Sequence, residues 1–451
     1  MNYTKHILSK STFVYGCQCP KRLYLHKFRP EVRNEEDKSQ QSIFASGTNV
    51  GLLAQELFRG GVNAEPPDAF SYHLSVAKTQ QLIKEGANII YEACFNYNGV
   101  LCAIDVLIKN SKKWYAFEVK GTTSVKSQHI MDAALQYHVI TKSGIQLKDI
   151  FIVHLNNQYV RRGEISVQEL FTKQSIHTQV KEQQKFIETK IEELKKVVAD
   201  RIEPVVEVGK HCESPYPCDF TDYCWKNVKV QETKSEREEY INKEYLNEFF
   251  SELQYPLFYF DFETIMPAVP EFNISRPYQQ IPFQYSLHIQ RTKGSELEHK
   301  EFLGDGVSDP REALIKGLLG SVGNRGTIIC WNKTFEVSRL KETARDFPQY
   351  RIQIYEVIER VVDLMIIFRK KMFYLPDFNE SYSIKNVLPV LVPELSYSDL
   401  AIQKGGSASL TYSELKNQTE EIQIHQRKNL LEYCKLDTLA MVKILEKINK
   451  I

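Results

Sequence analysis

Three cysteines recur every six residues, Cys212, Cys218 and Cys224, in a segment that also holds Pro215 and Pro217. A loop of this kind has little to hold it except a bound metal, and three thiolates ask for a fourth. Cys19, in the run CPKRLYL, is the leading candidate and Cys17 the runner-up. Four sulfur ligands suit either zinc or an iron–sulfur cluster. Zinc sites usually bring their ligands in tight C-x2-C pairs, so the wider spacing favours a cluster. Three unrelated buried thiols would leave the same string. The chain has nine cysteines in all, and Cys94, Cys102, Cys330 and Cys434 fall inside expected elements, where they read as core residues.

Charge narrows the partners. The 451 residues carry 58 Lys and Arg against 57 Asp and Glu, a net of +1, so any surface for a polyanion must be local. One dense stretch exists. Residues 1–34 hold Lys5, Lys10, Lys21, Arg22, Lys27, Arg29 and Arg33 against the single acid Glu31. Lys21 and Arg22 are candidates for tracking a phosphate backbone, and an ordinary solvated helix face would read the same way. No apolar run approaches the ~20 residues of a membrane span. The start, MNYTKHILSK, lacks the apolar core of a secretion signal. The expected setting is the cytoplasm, where cysteines stay reduced.

Periodicity predicts a mixed α/β chain. A helical pattern covers Phe44–Phe58. Strands are expected at Ile89–Phe95 and Val100–Ile108, split by the hairpin signal Asn98-Gly99. Trp114–Val119 and Ile150–Leu155 read as further strands, Met131–Ile140 as a helix and Ile176–Val198 as one long charged helix. The composition then changes. Leu257–Phe260, Gln284–Ile289 and Thr327–Trp331 read as strands; Pro310–Leu319, Val337–Phe347 and Leu430–Ile448 read as helices. The domains expected are 1–228 and 251–451, with a polar linker over 229–250.

In the first half, Glu118 and Lys120 are two apart at the end of one expected strand and so share a face. Asp105 lies on the preceding strand and can join them. Two carboxylates can hold Mg²⁺ or Mn²⁺ in an oxygen-rich site. A neighbouring lysine can orient the attacking water or stabilise charge on a phosphate, and Gln136 on the next helix could align either. Solvent-facing strand polarity is the plain alternative. The succession CPKRLYL, Asp105, Glu118-Val119-Lys120, Gln136-Tyr137 and three clustered cysteines resembles RecB-like PD-(D/E)XK nucleases. Its nearest kin are the CRISPR-associated iron–sulfur exonucleases and AddB-type nuclease domains. The resemblance spans about residues 8–226. It implies a restriction-endonuclease-like domain with Asp105 and Glu118 as metal ligands, Lys120 as catalytic lysine, and Cys19, Cys212, Cys218 and Cys224 on a 4Fe-4S cluster that staples the two ends of the domain. Many active members carry an upstream histidine, which GTNVGLLAQ lacks.

The second half holds another acidic set. Asp261 and Glu263, in YFDFET, share one face of a strand, and CWNKTFE brings Asn332, Phe335 and Glu336. Tyr433 and Asp437 lie four apart on one helix face. Four carboxylates from three elements could hold two cations ~3.5–4 Å apart, with Tyr433 orienting water. The pattern DxE, Nxx(F)(D/E), YxxxD is similar to the tyrosine variant of the DEDD exonucleases, which implies an RNase H-like fold and digestion from 3′ ends. Glu336 stands where aspartate is usual. Asp363 is a fallback ligand. Phe262, Trp331, Phe335 and Asn332 are candidates for contact with a terminal nucleotide. SYSIKNVLPVLVPELSYSDL and Gly405-Gly406-Ser407-Ala408 resemble a bacterial family of uncharacterised function that fuses these two domain types.

Together these readings imply a metal-dependent nuclease, a phosphodiester hydrolase acting on DNA or RNA with single-stranded or free ends. An alternative keeps the first domain as a non-cleaving iron–sulfur module that binds the strand and feeds the second.

Overall fold

The computed structural model describes residues 6–34, 49–68, 70–226, 238–378 and 381–450. The fold is mixed α/β, and the chain divides into two compact units: Met1–Val230 together with Ala268–Pro277, and Gln231–Pro267 together with Tyr278–Ile451.

The first unit is built on a sheet of seven described strands. β3 (Ile89–Tyr97), β4 (Val100–Asn110) and β5 (Lys113–Lys120) form an antiparallel meander. Asn98 and Gly99 both take positive φ, 47° and 75°, the backbone that a tight two-residue hairpin requires and that few other residues adopt cheaply. The helix Ser127–Lys142 then crosses over and returns the chain as β6 (Leu147–Leu155), parallel to β5. β7 (Phe171–Ser175) closes one side. β2 (Val62–Asn63) pairs with β3, and β1 (Leu8–Ser9) adds alongside the start of β4. The crossover helix buries Ala133, Ala134, Leu135, Val139 and Ile140 against the sheet. Truncating a residue such as Leu135 would cost about 2–5 kcal/mol.

The second unit opens with a short strand, β8 (Tyr240–Ile241), and holds a five-stranded sheet among the described residues. β9 (Leu257–Ile265), β10 (Ile281–Gln290) and β11 (Leu297–Leu303) are antiparallel neighbours, whereas β12 (Thr327–Cys330) and β13 (Val361–Asp363) run parallel to β9. Every residue of β10 is buried, because helices or strands cover both its faces and edges. The helix Glu420–Ile448 packs on β9 and β10.

Several expectations need correction. The predicted helix Ile176–Val198 is two helices, His177–Glu182 and Gln184–Asp200, which meet at Gln183. Part of the expected linker is folded: the helix Lys243–Ser251 buries Leu246 and Phe249 and belongs to the second unit, while residues 229–237 lie outside the described residues. Residues 44–48 of the predicted helix also lie outside them, and residues 49–55 are helical. No described helix is long and apolar enough to cross a membrane.

Candidate functional site

The second unit gathers its acids at the end of β9. Strand alternation puts Asp261 and Glu263 on one face and turns Phe262 between them to the other, into the core beside Phe260. Asp437 reaches the same point from the helix Glu420–Ile448. Oxygens of Asp261, Glu263 and Asp437 all lie within 4.8 Å of one another. Glu336, in the first turn of the helix Lys333–Asp346, lines the same cleft as Asp261, and its buried Oε2 has no hydrogen-bond partner. Asn332, Phe335, Trp331, Lys385 and Met441 complete a cleft of about 340 Å³.

Packing so much negative charge together has an electrostatic consequence. Burial, then the neighbouring Asp437, Glu336 and Glu263, push Asp261 well above the usual carboxylate range. Glu263 rises through burial and Asp437, with Lys385 opposing. Burial raises Asp437 and Glu336 too. A divalent cation bound among these acids would favour their charged forms and reverse the shifts.

Two residues that sequence reasoning passed over hold this site. Tyr397 donates to Asp437 Oδ1 at 2.6 Å, and Lys385 Nζ donates to Tyr433 Oη at 3.0 Å and to the Gln403 carbonyl at 2.6 Å. Both sit in the run SYSIKNVLPVLVPELSYSDL, where nothing local marks them as parts of a site.

In the first unit, the pairing of Val106 with Phe117 carries Asp105 opposite Glu118. Glu118 is 2% exposed and accepts from Gln136 Nε2 at 2.6 Å and from Lys10 Nζ at 2.7 Å. Lys120 lies 3.0 Å from Glu118 and 2.8 Å from Asp132. Burial works against the Glu118 charge, but Lys10 and Lys120 outweigh it and hold the carboxyl below its ordinary value. Asp105 shifts the other way, through burial and the Glu118 charge, although the Val119 amide donates to it at 2.5 Å. A further acid, Glu92, interrupts the β3–β4 pairing with a φ of 51°, and burial, then Asp105 and Glu118, push it up to about 8. Lys10, Glu92 and Asp132 were not expected here. Lys10 is far off in sequence, Glu92 depends on a strand irregularity, and Asp132 faces inward only once its helix docks.

Cys19, Cys212, Cys218 and Cys224 line one pocket, with His211 beside them. Cys17 lies elsewhere, packed against the core, where burial pushes its thiol up to about 12. Gln18 Nε2 donates to the carbonyls of His211 and Tyr216, both at 2.7 Å, and ties the first helices to the cysteine loop. Arg22 is spent inside this joint. It is 4% exposed, stacks on Tyr15 and bonds Asp219 at 2.9 Å and Gln18 at 2.6 Å. Lys21 pairs with Glu203 at 2.9 Å. Neither offers the free cation that phosphate tracking needs, and Phe262 is a core residue, not an open stacking platform.

Residues 258–383 match a family described as a domain of unknown function, DUF2779. The chain is also similar to the uncharacterised protein UU173 of Ureaplasma parvum serovar 3, 28% identical over an alignment of 228 residues that covers 45% of this chain and 32% of that protein. The uncharacterised protein MG366 homolog of Mycoplasma pneumoniae is 31% identical over 206 residues, 41% of this chain and 31% of its own length. The matched stretch thus spans about a third of these relatives.

Proposed function

We propose that the chain is a metal-dependent nuclease whose second unit trims nucleic acid from 3′ ends. The observation that carries this reading is the set of Asp261, Glu263 and Asp437 oxygens within 4.8 Å, with Glu336 lining the cleft alongside. Such a set is hard, anionic and oxygen-only, which fits Mg²⁺ or Mn²⁺ and suits neither zinc nor copper as well. Bound there, the cations would activate water and stabilise charge on the phosphate.

The chain's own residues account for the rest. In hydrolysis the water oxygen bonds to phosphorus, its proton passes to a carboxylate such as Glu263, the bond from phosphorus to O3′ breaks, and the 3′ oxygen takes a proton from solvent. Tyr433, one helical turn from Asp437, orients that water. The exposed Asn332 and the half-buried Phe335 meet the terminal nucleotide at the cleft rim. Strand order β11-β10-β9-β12-β13, with two antiparallel and two parallel pairings, supports an RNase H-like assignment. The meander β3-β4-β5, crossover helix and parallel β6 support a PD-(D/E)XK assignment for the first unit in the same way.

The four thiols fit a 4Fe-4S cluster. All four line one pocket beside His211, and an all-thiolate set of this kind suits such a cluster. Its place would be structural, joining the first helices to the loop after residue 209.

A second reading has its own support. Glu118 is already engaged by Lys10, Lys120 and Gln136, so the first unit could bind a strand without cutting it. Asp105→Ala and Asp261→Ala, each assayed on 3′- and 5′-labelled DNA and RNA in Mn²⁺, separate the two. Loss with Asp261→Ala alone favours the binding-module reading. Loss with either assigns two cutting sites, and loss with neither removes the nuclease reading.

A further inference from the structure

The cleft of the second unit holds one ammonium between two phenols. Lys385 Nζ lies 5.0 Å from the ring centroids of both Tyr397 and Tyr433. It is anchored at the same time by the Gln403 carbonyl at 2.6 Å and by Tyr433 Oη at 3.0 Å. A cation placed over two aromatic faces and held by two acceptors has little rotational freedom left.

Hydrogen-bond chemistry then sets a direction. An ammonium donates and has no lone pair to accept with. Tyr433 Oη must therefore accept from Lys385, and its own hydrogen must point elsewhere. Tyr433, Glu263 and Gly405 all line the cleft. Gly405 flanks both atoms without crowding them, since a methyl group built on it would stand at ordinary contact distance, 3.7 Å from Glu263 Oε2 and 4.0 Å from Tyr433 Oη. The second phenol of the clamp, Tyr397, spends its hydrogen on Asp437 Oδ1 at 2.6 Å. The two tyrosines thus present hydroxyls of defined sense, one to a carboxylate and the other to the cleft.

We infer that Lys385 is the positioning residue of the second unit's site: it fixes the Tyr433 hydroxyl as a donor into the cleft and, through the shared aromatic clamp, steadies the phenol that holds Asp437. This rests on the nuclease reading and adds a residue to it. Without Lys385, the Tyr433 hydroxyl is no longer held as an acceptor and can turn its hydrogen elsewhere, and the water it should orient loses its partner.

A double-mutant cycle tests the assignment. Lys385→Met, Tyr433→Phe and the double variant are assayed for trimming of a 3′-labelled strand in Mn²⁺, with melting curves as the folding control. Lys385→Met is expected to lower kcat about 10- to 100-fold with KM within about threefold, the size of effect that misplacing a reacting partner produces. In the Tyr433→Phe background the same change should cost less than about threefold, because the partner it acts through is gone. Losses that multiply overturn the inference and make Lys385 a direct substrate contact. A rise in KM with kcat intact, or no loss at all, overturns it too. Should Lys385→Met not melt cooperatively, Lys385→Arg keeps the charge but cannot reproduce both short donations, and the same cycle run with it decides. Wild-type protein that leaves 3′ ends intact overturns the nuclease reading, and this assignment with it. Wild type that trims beside an equally active Lys385→Met overturns the assignment alone.

Discussion

Lys10 and Glu118 are 108 positions apart in the chain, yet the lysine Nζ sits 2.7 Å from Glu118 Oε1. The pair fastens the first helix to the end of β5. A carboxylate whose folded value is depressed lends stability above its ordinary pKa and loses it as pH falls. Lys10→Met should therefore lower the stability of the first unit by about 1–3 kcal/mol at pH 7, and the difference should shrink as pH falls below 4. Urea unfolding at pH 7 and pH 3.5 measures both. Equal stability of variant and wild type at pH 7 would mean that Lys120 and Gln136 suffice.

The acids around Asp261 are arranged the opposite way, with burial and mutual repulsion raising them. A carboxyl raised in the folded state stabilises at low pH and loses that contribution as pH climbs. Asp261→Asn should then melt higher than wild type in EDTA by roughly 1 kcal/mol, most clearly at neutral and alkaline pH. Manganese should reverse the order. At a hundredfold excess over Kd a bound cation adds about 2.7 kcal/mol to wild type, and the variant should lose most of that gain. Equal manganese shifts in the two proteins would exclude Asp261 as a ligand.

Cys17 and Cys19 are two residues apart and face different surroundings. Anaerobically purified wild type should be brown, with about four irons per chain. Cys19→Ser should lose the colour and melt lower, while Cys17→Ser should keep it. Iron retained in Cys19→Ser would reassign the fourth ligand.

The second unit also packs two histidines together, His288 buried and His299 half-buried. His288 and His299 sit with ring centroids 4.5 Å apart and reach Ser286 and Thr438, His288 Nδ1 lying 2.8 Å from Thr438 Oγ1 and His299 Nε2 2.9 Å from Ser286 Oγ. Burial lowers His288 to about 3 and His299 to about 4. The unfolded chain takes up protons near pH 6.5, so stability rises with pH through the interval between. Each ring contributes a slope of about 1.4 kcal/mol per pH unit. The pair variant His288→Asn/His299→Gln should show a flatter melting profile between pH 6.5 and 4.5. An unchanged slope would place the acid sensitivity on other groups.

The legible parts of the sequence were those in which neighbours in the chain are also neighbours in space. Asn98-Gly99 announces its hairpin because the turn chemistry is local, and the spacing of Asp261 and Glu263, or of Tyr433 and Asp437, puts each pair on one face whatever else the chain does. Recognising that these pairs meet took a resemblance, since no spacing brings residue 261 to residue 437. The helix Glu420–Ile448 begins ten residues before the expected Leu430 because its first turns are polar and exposed, with little apolar periodicity to register. β11 escaped for the same reason, as an edge strand with no fully buried residue. Lys385 and Tyr397 were unreadable, since their meaning lies in what they touch.

The joint near the cysteines has a consequence for synthesis. Gln18 and His211, which it brings together, are 193 positions apart. At ~5–20 residues per second, a ribosome needs about 10–40 s to pass from one to the other. Through that interval the first helices of the unit exist without the loop they are to meet, and Cys19 waits as a lone thiol. The unit can close only after nearly all of it has been made. A chain arrested before the last cysteine emerges would carry every strand of the first sheet and still lack its clasp.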